Sequence, residues 1–184
     1  MTLGFSTKWP DRMGELAGQP NYFIEKIWAG LPFCGDTKTD YYNNCIFNRG
    51  KGWDNPLVDE GEYFSFLSKL HTIRRDSNSR WRSGMDIHMV INNRTKNRFQ
   101  FAPVMECKSV QTIEILHALG HALVKIDGEF FGEIYHYGFD DIHEYTNDLE
   151  VLAINDGFPS VEAFFQYFNK DFKGKIIHWT DLKY

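Results

Sequence analysis

Ten residues, Ala122-Leu123-Val124-Lys125-Ile126-Asp127-Gly128-Glu129-Phe130-Phe131, constrain the fold of this chain more than any other stretch. Two short apolar runs flank an Asp127-Gly128 pair, a dipeptide suited to a tight two-residue turn, so the segment predicts an antiparallel hairpin. Strand patterns also run upstream of it. Residues 71–74 and 86–91 read as strands, the second entered after a turn at Ser83-Gly84, and 99–106 and 109–115 look like further strand material. Leu3-Gly4-Phe5 reads as a short opening strand and 175–179 as a closing one.

Helices are predicted beside this meander. Over 21–30 the apolar residues Phe23, Ile24, Ile27 and Trp28 recur at helical spacing, and Gly30 offers a stop. A second helix is predicted over 141–154, with Leu149, Leu152 and Ala153 on one face. After a break at 155–159, Ser160 is placed to cap a third. There Val161, Phe164, Phe165, Phe168 and Phe172 form a core stripe, ended by Gly174. Strands at both ends, a meander between them and helices alongside describe an α+β barrel-like fold. With 184 residues, one domain spanning 1–184 is expected. Residues 31–66, rich in Gly, Pro, Asn and Asp, form a long irregular excursion of the kind that is functional or mobile.

Charge is unevenly spread. From Lys69 to Arg98 eight Lys/Arg face two acids, a net +6 in a chain whose total is −5, which leaves −11 for the remainder. Residues 127–162 hold ten acids and no Lys or Arg. A cationic strip inside an acidic chain points to a local anionic ligand rather than to a surface that coats nucleic acid at large. The two regions also allow docking between copies. Three cysteines (Cys34, Cys45, Cys107) form no CxxC pair and cannot all be bridged, although Cys34 and Cys45 could pair; this favours a reducing compartment. No apolar run approaches membrane-spanning length and the first twelve residues lack a signal-type core, so a soluble, cytoplasmic chain without a membrane partner is expected.

The order of these pieces resembles the ASCH family of the PUA-like superfamily. The resemblance rests on Phe5 with Lys8 and Trp9, on the helix ending Ile27-Trp28-Ala29-Gly30, and on Lys69-Leu70-His71-Thr72-Ile73-Arg74 followed by Trp81-Arg82-Ser83-Gly84. The break Asp156-Gly157-Phe158 before the Ser160 helix and the strand at 175–179 complete it. It covers most of the chain except 31–66, which looks like an insertion. The resemblance implies a small, mostly antiparallel PUA-like β-barrel with flanking helices, whose cleft receives RNA or a nucleobase derivative. Some relatives are amidohydrolases that deacylate N4-acetylcytidine with a Lys, a Thr and a Glu. Those roles fall on Lys69, Thr72 and, with Asp in place of Glu, Asp156.

Read from the residues alone, Arg74, Arg75, Arg80 and Arg82 can fork onto phosphate oxygens. Trp81, Trp9 and Trp53 can stack on a splayed base, and Lys8 adds a cation. Arg74 reads equally as a partner of the acid-rich segment, and Trp81 as core. Lys69 and Thr72 can share a site only where Lys69 precedes the strand, because alternation would otherwise turn them to opposite faces. The catalytic version has Lys69 deprotonating Thr72 or a water while Asp156 relays protons. His117 and His121 have the spacing of a zinc helix but Ala118 replaces its Glu, so no metal or cofactor is expected.

Overall fold

The computed structural model describes residues 1–31, 40–41, 43, 66–137 and 142–184. Most of the 31–66 excursion, with Cys34, Cys45 and Trp53, lies outside the described residues, as do the side chains of His136 and His143. The fold is α+β and its strands are mainly antiparallel. The chain divides into two compact units, Met1–Lys69 with Met85–Glu106, and Leu70–Gly84 with Cys107–Tyr184.

In the first unit, Thr2–Phe5 (β1) buries Leu3 and Phe5 on alternate positions and runs parallel to Asp86–Ile91 (β3). Phe99–Gln100 (β4) and Met105–Glu106 (β5) pair antiparallel with opposite ends of β3. The strand material expected over 99–106 is two short strands, with a bend at Ala102 between them. The helix Phe23–Ala29 (α1) begins where the Asn21 side chain accepts the N–H of Phe23. Its Ile24, Ile27 and Trp28 are buried, and the Trp28 indole N–H donates to the carbonyl of Phe101 at 2.9 Å.

The second unit is one six-stranded antiparallel sheet curled into a half-barrel, in the order β2-β10-β6-β7-β8-β9. Its strands are His71–Arg74 (β2), Ser109–Ala118 (β6), His121–Ile126 (β7), Glu129–Tyr137 (β8), Ile142–Tyr145 (β9) and Phe172–His178 (β10). The predicted hairpin is β7–β8, and Asp127 and Gly128 both take positive φ (52° and 92°) as a two-residue turn of this hand requires. The helices are Asn147–Asn155 (α2) and Val161–Tyr167 (α3); Ser160 caps the latter by accepting the N–H of Ala163 at 3.2 Å.

Two helix expectations are corrected. The helix predicted over 141–154 is strand β9 followed by α2, because Thr146 takes extended backbone and starts the helix late. The third helix stops at Tyr167, so Phe172 and Gly174 belong to β10. The Phe168 and Phe172 rings still meet, with centroids 4.8 Å apart, so the aromatic stripe survives the change of backbone. His117 and His121, whose spacing alone would suit a zinc helix, stand on β6 and β7, on either side of a hairpin turn. No described helix is long and apolar enough to cross a membrane.

Candidate functional site

In the second unit a cleft of about 460 Å³ is lined by Arg75, Asp76, Ser77, Ser79, Thr112, Lys173, Gly174 and Lys175. The sheet register builds it. Lys175 of β10 sits between Arg74 of β2 and Thr112 of β6 in adjacent pairs, so these three residues share a sheet face. Lys173 is two residues away on the same strand and projects to that face as well. Arg75 leaves the end of β2 with its guanidinium carbon 5.5 Å from the centre of the Phe172 ring, a cation–π contact that holds it at the cleft wall. Ser77 and Ser79 come from the turn that follows, closed by the Ser79 N–H donating to the Asp76 carbonyl.

Asp76 is the one acid in that lining, and it is turned inward. Its Oδ2 accepts the N–H of Trp81 at 2.9 Å, and Arg80 Nε lies 3.7 Å from Oδ1. Burial opposes ionisation of this carboxyl, but the N–H bonds from Trp81 and Arg80 and the Arg80 charge outweigh it, so its pKa lies below the usual value. A neighbouring cleft of about 410 Å³ shares Arg75 and Lys173 but adds Glu114 and Asp171, which makes its charge mixed. Lys173 forms a salt bridge with Glu114. The first cleft is therefore the cationic one, with Arg75 and Lys175 as its cations not engaged by Glu114.

Of the residues singled out in the sequence, only Arg75 lines this cleft. Arg74 is half-buried on the same sheet face. Arg80 is largely exposed and directed to Asp76, and Arg82 is exposed outside the lining. Trp81 is 7% exposed and Trp9 is 5% exposed, so neither offers an open ring face for a base. Trp9 packs edge-on against Phe23 with centroids 5.2 Å apart. The stacking role is corrected to a core role for both. Lys8 is exposed, but it belongs to the other compact unit. Lys173 and Lys175 were not singled out from the sequence; their period of two around Gly174 was the available signal.

The catalytic candidates divide between the units. Thr72 and Asp156 belong to the second and are 2% and 4% exposed. Asp156 follows α2, and its Oδ1 accepts the N–H of Ile73, the residue after Thr72, at 3.2 Å. The same oxygen lies 3.8 Å from Nδ1 of His71. Lys69 belongs to the first unit, is 1% exposed, donates its N–H to the carbonyl of Lys26, and carries Nζ 4.9 Å over the Phe23 ring. It precedes β2, so strand alternation does not govern it. Next to it on α1, burial lowers the Lys26 pKa to about 8 against the opposing charge of Glu25.

Among the described residues no three His, Cys, Asp or Glu side chains are grouped closely enough to hold a metal ion. No protein-family model matches the chain, and neither does any curated protein or solved structure.

Proposed function

We propose that this chain is a PUA-like domain of the ASCH type that holds single-stranded RNA by its backbone phosphates in the cleft of Arg75, Lys173 and Lys175. One observation carries the reading: three cations and three hydroxyls (Ser77, Ser79, Thr112) from separate elements line one cleft whose single acid is already engaged. Arginine forks and hydroxyl donors are the groups that phosphate oxygens take. The curled antiparallel sheet with helices beside it supports the barrel part of the reading.

Fluorescence anisotropy with a labelled single-stranded oligoribonucleotide, titrated at several salt concentrations, tests it. Affinity falls with salt, with a log–log slope of about −0.7 per phosphate contacted. Lys175→Ala and Arg75→Ala each weaken binding and each flatten that slope. Affinity that ignores both substitutions refutes the assignment of this cleft.

A second reading has its own observation. Within the second unit Thr72 and Asp156 are both nearly buried, and Asp156 accepts the N–H of Ile73, next to Thr72. On that reading the chain deacylates an N4-acylated cytidine, and incubation with N4-acetylcytidine releases acetate. Thr72→Val and Asp156→Asn abolish release. No acetate at high protein concentration eliminates the reading.

A further inference from the structure

Along β6 and β7 burial alternates residue by residue. Ile113, Ile115, Val124 and Ile126 are buried in the core, and the residues between them stand on the opposite, solvated face of the sheet. A solvated face of an antiparallel sheet is ordinarily polar. This one has an apolar middle. Leu116 and Leu123 are direct cross-strand partners there, and Phe130, opposite Lys125 on the next strand, is a diagonal neighbour of Leu123. Leu116 is 42% exposed and Phe130 is 56% exposed. Large apolar side chains gathered on an open sheet face mark a contact surface.

The charges on either side of that middle are sorted by sign. Toward β2 the face carries Lys173, Lys175 and Arg74, the last two directly paired. Toward β9 it carries Glu133, the cross-strand partner of Leu123, and the exposed Glu144, the partner of Tyr135. Strands β8 and β9 contain no Lys or Arg. The two groups also differ in height along the strands, because Lys175 is level with Thr112 and Glu144 is level with His121. Cations and acids therefore occupy opposite corners of one face, with the leucines between them.

We propose that this face pairs with the same face of a second copy about a two-fold axis. An axis lying in the contact turns the cationic corner of each copy onto the acidic corner of the other. Both charge contacts form at once, and the apolar middles meet. That is the self-complementarity an isologous contact requires. A face of one sign would repel its copy, and an apolar face alone would not select the orientation. Six strands about 4.8 Å apart, over about seven residues at about 3.3 Å each, give roughly 600 Å², on the order of the ~800 Å² that each side of a standard interface buries. The dimer is weak and reversible, with a Kd on the order of tens of micromolar. It does not rest on RNA binding. Lys175 lines the phosphate cleft as well, so a phosphate and a second copy exclude each other there.

Sedimentation velocity of the full chain tests this, at about 1–300 μM protein and at about 50 and 500 mM salt. The parent passes from monomer to dimer with concentration at the lower salt and returns toward monomer at the higher. Leu116→Ser, at an exposed position, leaves the chain monomeric. Charge reversal tests the orientation. Glu144→Lys sets lysine against Lys175 in both contacts, and Lys175→Glu sets carboxylate against carboxylate, so each variant alone associates at least about tenfold more weakly. Mixed in equal amounts, the two variants form a heterodimer in which both contacts again join opposite charges, at about the parent's affinity. A parent chain that stays monomeric overturns the proposal and leaves the face to a partner of another kind. Association that runs past the dimer, or a mixture no stronger than its components, overturns the two-fold arrangement.

Discussion

The carboxylate of Asp76 accepts the backbone N–H of Trp81 at 2.9 Å, and this bond closes the turn that carries Ser77 and Ser79 into the cationic cleft. A bond to a charged acceptor contributes about 1.5–3 kcal/mol. Asp76→Ala is therefore expected to lower unfolding free energy by about 2 kcal/mol and to shift Trp81 emission to the red as its indole gains solvent. The carboxyl's lowered pKa means its contribution is present above the unfolded value near 3.8 and is lost as pH falls through the folded value. Denaturant titrations of parent and variant, read by tryptophan fluorescence, check both. Emission that does not move would show that the bond does not hold the turn.

Glu114 competes with any anion for Lys173. Its pKa is lowered by the hydrogen bond and charge of Lys173, and Lys125 adds to the effect, against a smaller opposing burial. Glu114→Gln releases the lysine while keeping the shape of the side chain. Oligoribonucleotide affinity should rise about two- to fivefold at low salt, the scale of an exposed ion pair, and converge with the parent at high salt. Isotherms at 50 mM and 500 mM salt, on the order of the range where counterion effects are read, distinguish this from a salt-independent change, which would speak against the cleft.

At Gly174, β10 passes close to the end of β2. A Cβ there would lie 2.5 Å from the carbonyl oxygen of Arg74 and 2.6 Å from the Phe172 ring. The oxygen belongs to the backbone, so the strand itself must shift. Gly174→Ala is expected to cost about 1–3 kcal/mol as an overpacking change and to displace Lys173 and Lys175 together. Thermal melts and anisotropy should fall in step; a stable variant with undiminished binding would contradict the register that places those lysines.

Burial lowers the His178 pKa to about 4, with Lys183 pushing the same way and Asp127 opposing. Unfolded, the imidazole titrates near 6.5. Between those values the unfolded chain holds a proton that the folded one lacks, so stability falls as pH drops from 6.5 toward 4 and this contribution levels off below that. The loss reaches about 3 kcal/mol. Urea midpoints at a series of pH values, compared between the parent and His178→Phe, isolate the effect from that of the carboxylates. Parallel curves for the two proteins would rule it out.

How much of this was legible in the sequence depends on how local the determinant is. The Asp127-Gly128 turn and the Ser160 cap are set by residues within a few positions, and both were readable. Strand β9 was not, because Ile142 to Tyr145 sits in an acid-rich run continuous with a helical pattern; Thr146 is a capping residue type, but the Asn and Asp around it offer the same signal at several positions. Phe172 fitted the helical stripe of Phe164 and Phe168 and packs with it, yet from a strand. At the site, Arg75 stood out by charge density. Its partners Lys173 and Lys175 lie about a hundred residues on, and only the β2–β10 register brings them near. Tyr184 carried no signal, since its ring contacts with His71 and His178 join residues far apart in sequence.

Strand β10 lies between β2 and β6 in the sheet, although it follows them in sequence by several tens of residues. During synthesis β2 has no sheet partner, and β6 has one open edge, until Phe172 to His178 leaves the ribosome. Open edges of this kind invite pairing with other chains. The nascent polypeptide therefore has a vulnerable interval whose length is set by translation of residues 119–178. Slowing elongation across that stretch lengthens the interval in which a chaperone must shield β2 and β6.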